Sequence, residues 1–110
     1  MTPQLIGSDE PSPADADGPS RDEVFTALSN RRRRNVIKYL KANGTEARVR
    51  DIAEQLAAWE NDLEIPEVTY KQRKRVYTAL HQSHLPKLAA SGFIDYESDR
   101  GLVSLTEESR

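Results

Sequence analysis

The stretch TYKQRKRVYTALHQSHLPKLAASGFIDYESDRGLVSL, residues 69–105, decides how this chain is read. Thr69 with Gln72 three positions on has the spacing of a capping box, in which each side chain satisfies the other residue's backbone N–H at a helix start. From there Tyr70, Tyr77, His84 and Leu88, with Val76 and Leu80 beside them, recur at helical spacing and predict an apolar side flanked by Arg73. Pro86 lacks an N–H and crowds the carbonyl of Gln82, so a kink or break is expected near His84–Leu85, with a last short helix to Ala90. Gly92 closes that helix. Residues 93–97 and 102–105 then read as two strands around the turn Ser98-Asp99-Arg100-Gly101.

Upstream, residues 60–68 (ENDLEIPEV) hold no period and one proline, which predicts a loop. Ile52, Ala53, Leu56 and Ala57 make the apolar side of a helix starting near Asp51, with Trp59 at its edge, where it is expected to close the core, the alternative being a place in a subunit interface. Asp51 and Glu54 place negative charge at that helix's positive end. Arg48, Val49 and Arg50 suggest a very short strand. Ser29 and Asn30 supply an N-cap for a helix running to about Ala42, with Val36, Ile37 and Leu40 as its buried stripe and Asn43-Gly44 as its stop. Val24, Phe25 and Leu28 lie on one side of a first short helix. The expected fold is therefore mainly α with a small β-hairpin, in the order of a winged helix-turn-helix spanning 21–106. Residues 69–84 are the expected recognition helix and 93–105 the wing. Residues 1–20 carry four prolines and no apolar period, and are expected to form a disordered acidic tail. Residues 106–110 are expected to fray.

At 110 residues, the chain suits one small domain. It has no cysteine, which excludes disulfides, thiolate metal sites and cysteine nucleophiles and fits a cytoplasmic protein. No apolar run approaches a membrane span, and a secretory signal is not expected from residues that lack an apolar stretch behind a basic start. The net charge of −2 conceals a segregation: residues 1–20 sum to −4, residues 21–94 to +5 and residues 95–110 to −3. A basic body between acidic ends points to a polyanionic partner.

Helical phase sorts the basic runs. In the second helix Arg33 falls at the centre of the apolar stripe, and is expected to bury its stem and pair with an acid. Arg31, Arg34, Lys38 and Lys41 face solvent, with Arg31 and Arg34 candidates for phosphate contact. On the long helix Lys71, Arg75, Thr78 and Gln82 form a stripe opposite the apolar side, bordered by Gln72 and Ala79, with Lys74 in the same basic run. Arg and Lys donate to guanine, Gln pairs with adenine, and a small residue lets the backbone approach, which is what a helix in the major groove requires. Arg100, at the hairpin turn, is the candidate contact from the wing.

Other chemistry is poorly supported. His81 and His84 lack a third metal ligand at regular spacing, and His84 lies in the apolar phase. Ser83 beside His84 has no oxyanion motif around it. Glu60, Asp62, Glu64 and Glu67 lack the spacing of a calcium loop and read as solvated charge. No glycine-rich phosphate loop occurs. Neither an enzyme nor a bound cofactor or metal is expected.

Residues 28–40 (LSNRRRRNVIKYL), 51–60 (DIAEQLAAWE) and 75–96 (RVYTALHQSHLPKLAASGFIDY) resemble a group of small haloarchaeal winged helix-turn-helix domains, over about residues 22–105. The last segment is also similar to the end of the recognition helix in ArsR-like transcription regulators. That resemblance implies base contacts at Thr78, Ala79, Gln82 and Ser83. It does not extend to metal sensing, because the cysteine and histidine ligand sets are absent. The expected function is a transcription regulator that binds double-stranded DNA as a homodimer. The alternative is a winged-helix interaction or dimerisation module without sequence-specific DNA binding.

Overall fold

The structure, a computed structural model, describes residues 21–110. The expected disordered tail falls on residues 1–20 and lies outside the described residues. The elements run α1 (Arg21–Leu28), α2 (Arg31–Ala42), β1 (Glu46–Arg48), α3 (Val49–Asn61), a 3-10 turn (Ile65–Glu67), α4 (Tyr70–Ala79), a π-helical turn (Leu80–His84), α5 (Leu85–Ala90), β2 (Ile94–Glu97) and β3 (Leu102–Leu105). A final 3-10 turn, Glu107–Ser109, occupies the stretch expected to fray, anchored where the Thr106 hydroxyl donates to Gly92 O at 2.8 Å. The chain is mainly helical with a small antiparallel sheet, in the order expected.

Asn30 caps α2 by accepting from the Arg33 N–H at 3.2 Å. At the other end Gly44 (φ 88°) turns the chain into the left-handed region, and Thr45 N–H returns to Leu40 O at 2.8 Å. Thr45 itself sits at φ 71°, a strained setting for a β-branched residue. It is held there because its carbonyl also accepts from Leu105 N at 2.8 Å.

The short strand lies two residues earlier than residues 48–50, and α3 starts at Val49 rather than near Asp51. Val49 completes the helical series Val49, Ile52, Ala53, Leu56, all at most 1% exposed, so its apolar side chain follows the helix period into the core. Its N–H donates to Gly101 O at 2.9 Å. The hairpin is also joined by a third strand. β3 is central, pairing with β1 through Glu46↔Ser104 and Arg48↔Leu102, and with β2 through Ile94↔Leu105 and Glu97↔Leu102. Phe93 stays outside the ladder.

The core gathers Leu40 of α2, Ile52 and Leu56 of α3, Leu80 of the π turn and Val103 and Leu105 of β3. Each such side chain contributes about 1.5–3 kcal/mol by leaving water. No break occurs at His84–Leu85: both residues keep right-handed helical backbone. Leu80 and Leu85 are both fully buried, yet five residues of α-helix would set them roughly 140° apart. The wider π turn, with Leu85 N–H bonded to Leu80 O, brings both onto the core side. Pro86 sits in the first turn of α5, so the helix changes its winding instead of ending.

Candidate nucleic-acid interface

The capping box forms as its spacing requires: Gln72 N–H donates to Thr69 Oγ1 at 3.1 Å, and Thr69 N–H donates to Gln72 Oε1 at 2.9 Å. The helix it starts packs chiefly on α3 and buries Val76 and Leu80. Arg73 lies on that side too, half-buried, and reaches Glu54 Oε2 at 3.6 Å. The tyrosines expected beside them do not follow. Tyr70 is 66% exposed and Tyr77 39%. The buried side centres on Val76, about 100° from Tyr77, because contact with α3 and not the average of apolar positions sets the orientation.

On the outward side Lys71, Lys74, Arg75, Thr78 and Gln82 are exposed and Ala79 half-buried, and all six line one shallow cleft. Lys71 and Arg75 make no ion pair among the described residues, whereas Arg32, Arg73 and Arg100 each do. Gln72 is half-buried and committed to the cap, and Ser83 is exposed but lies off the cleft. An adjoining cleft, lined by Arg50, Tyr70, Arg73, Lys74, Tyr77 and Thr78, adds Arg50 from the start of α3. Sequence reasoning missed Arg50 because it was placed in a strand. The two tyrosines were missed because aromatic residues at helical spacing read as core.

The remaining candidates are dispersed. Arg31 is exposed at the start of α2. Arg34 is exposed but donates to Leu28 O at 2.8 Å, satisfying a carbonyl at the end of α1. Arg100 pairs with Glu97 at 3.3 Å in a hairpin whose exposed charges also include Asp95 and Asp99. The hairpin from Asp95 to Arg100 is therefore net negative.

Arg33 is buried at 8% exposure, but its partner is not an acid. Nε donates to Ala27 O at 2.6 Å, Nη2 to Thr26 O at 3.1 Å, and Nη1 to His84 Nδ1 at 3.2 Å. The last carbonyls of α1 have no continuing helical turn to bond, and Arg33 shares their satisfaction with Ser29, which donates to Thr26 O, and Arg34, which donates to Leu28 O. Burial, then the Arg33 and Arg32 guanidiniums, lower the His84 pKa from its usual value, with Glu60 opposing. His81 is half-buried, meets Tyr77 edge-on at 4.6 Å between centroids and hydrogen-bonds the Tyr96 hydroxyl through Nδ1. Burial lowers its pKa. The acids at 60–67 are not simply solvated. Glu60 takes Arg32 in a two-pronged pair at 2.6 and 2.7 Å, and Glu64 with Glu67 forms a second capping box. No group of three or more His, Asp or Glu with metal-binding geometry occurs among the described residues.

A family model described as a domain of unknown function, DUF7344, matches residues 25–104. The chain belongs to the DUF7344 family. The matched span holds all of α2 to α5, including every residue of the α4 cleft, and nearly all of the sheet. No curated protein and no solved structure matches the chain. Among the described residues no helix is long and apolar enough to cross a membrane.

Proposed function

We propose that this DUF7344 chain is a cytoplasmic, winged-helix transcription regulator that binds double-stranded DNA with α4 in the major groove. The observation that carries the reading is the row of Lys71, Arg75, Thr78 and Gln82 on one exposed side, with both cations unpaired among the described residues. Cations without protein partners on a helix are free to meet phosphate and guanine, and Gln82 meets adenine. Ala79 beside them leaves room for the backbone to approach. The likeness to ArsR-like regulators supports the same helix. Arg31 and Arg34 add phosphate contacts, and a homodimer formed through α1 and the C-terminal end presents two such helices. The test is titration of random and selected duplexes across a salt series. Binding must weaken steeply with salt as counterions leave the DNA. Absence of salt-sensitive binding to any duplex refutes the reading.

One observation favours the alternative of a protein-interaction module. The hairpin carries Asp95, Glu97 and Asp99 against Arg100 alone, so its tip repels phosphate. If the duplex titrations fail, this becomes the working function.

A further inference from the structure

A second surface lies away from α4. At the end of α3 and in the loop after it, Trp59, Leu63, Ile65 and Pro66 wall an open cleft of about 440 Å³, with Asp62 and Glu64 on its rim. Trp59 is 39% exposed and Ile65 41%, so two large apolar side chains stand in water side by side. Trp59 was expected to close the core, and it does not. Exposed aromatic and aliphatic groups set among polar ones in one cleft make a surface that a partner can cover.

The loop is already built. Asp62 takes the left-handed conformation at φ 56°, which lets Leu63 N–H reach back to Ala58 O at 2.9 Å. Asn61 Nδ2 donates to Ala57 O at 2.8 Å, and Glu64 N–H donates to Glu67 Oε1 at 2.7 Å. The loop backbone is already bonded in place, which lowers one cost of binding.

Charge selects the partner. Residues 60–67 carry Glu60, Asp62, Glu64 and Glu67 and no Lys or Arg; Glu60 is held by Arg32, and the other three make no ion pair among the described residues. A two-fold contact with a second copy would bring two such rims together and repel. Lys38 Nζ lies over the Trp59 ring at 4.8 Å from the centroid, so a cation of the chain already sits on this ring, and the partner's cations are left to Asp62 and Glu64. We propose that this cleft docks a basic segment of a partner protein. One aliphatic side chain of that segment seats against Trp59 and Ile65, and its flanking cations pair with Asp62 and Glu64. The inference stands apart from the DNA reading, since none of these residues belongs to the α4 cleft.

Trp59 is the one tryptophan of the chain, so its emission reports the site directly. The full chain is titrated with the blocked peptide Lys-Arg-Leu-Leu-Arg-Lys, its Leu-to-Ser analogue, and Glu-Glu-Leu-Leu-Glu-Glu. The basic leucine peptide is expected to shift Trp59 emission with a Kd under about 1 mM, and the other two to bind at least about tenfold more weakly. Ile65→Ser and Asp62→Asn should each weaken binding several-fold; both sites are exposed, and Asn accepts the left-handed backbone. Unchanged emission at about 1 mM peptide, equal binding of the serine analogue, or unaltered affinity in both variants overturns the proposal. A fall in oligomeric mass on Ile65→Ser also overturns it, because the occupant would then be a second copy.

Discussion

Arg33 donates from Nη1 to Nδ1 of His84 at 3.2 Å, joining the start of α2 to the π turn across 51 positions of sequence. A guanidinium only donates, so His84 must accept with Nδ1 and carry its proton on Nε2. Protonated His84 would present an N–H to a guanidinium, with Arg32 also close and Glu60 the one acid acting on it among the described residues. Unfolded, His84 takes its proton near its ordinary value of about 6.5; folded, it resists until lower pH. The neutral imidazole therefore adds stability above about pH 6.5, and that stability is lost as pH falls through the lower folded value. His81, lowered by burial, adds the same sign. Thermal melts between about pH 7.5 and pH 5.5 should show Tm falling, with a shallower fall in His84→Gln. Equal slopes in the two proteins would falsify this assignment.

Arg33→Ala should destabilise the fold by about 1–3 kcal/mol, since it removes the donor to the Ala27 carbonyl and to His84 Nδ1, while Thr26 O keeps the Ser29 hydroxyl. Arg31→Ala, two positions away and exposed, should change stability by less than about 0.5 kcal/mol. Urea unfolding of both variants gives the comparison.

Arg75→Ala should leave the melt unchanged and weaken specific DNA binding by about 1–3 kcal/mol if it grips a base, or lower the salt slope by about one if it grips phosphate. Arg73→Ala is the matched control. It loses a partly exposed pair with Glu54 and its stacking on Tyr70, so it should cost stability about 0.5–1 kcal/mol and, because it lines only the adjoining cleft, weaken DNA binding less than Arg75→Ala. Paired melts and anisotropy titrations decide between them, and a folded Arg75→Ala protein with undiminished affinity sinks the DNA reading.

Gln72 separates a cap from a base reader. Its Oε1 is held by Thr69 N–H, so Gln72→Ala should lower stability by about 1 kcal/mol, as should Thr69→Ala, with no change in base preference. A relaxed preference at one base in the Gln72 variant would return it to the contact set.

Phe25 is 76% exposed on α1, while its neighbour Ala27 is fully buried. If α1 forms the homodimer, Phe25→Ser should give the monomer mass by light scattering at concentrations where the parent is dimeric, with α-helical content retained. A parent that is monomeric throughout, or a variant still dimeric, places the interface elsewhere.

Local grammar was legible in the sequence. The Thr69/Gln72 box, the Asn30 cap and the Ser98–Gly101 turn each need only neighbours a few residues away. The Lys71, Arg75, Thr78, Gln82 row was legible because periodicity alone places it on one side. What was not legible depends on partners far along the chain. The three residues of β1 carry no strand pattern and exist because Leu102–Ser104 offers an edge. Tyr77 faces outward because α3 meets α4 on Val76. The π turn answers a demand to bury both Leu80 and Leu85, and Arg33 found carbonyls and an imidazole where its phase alone suggested an acid.

The position of β3 has a consequence for synthesis. It is the middle strand of the sheet but the last of the described strands. While the ribosome is still adding residues before Leu102, β1 and β2 have no ladder partner, and Thr45 and Val49 lack the bonds that Leu105 and Gly101 bring. The helices can collapse on one another during translation, whereas the sheet closes in a single late step once residue 105 has emerged from the exit tunnel.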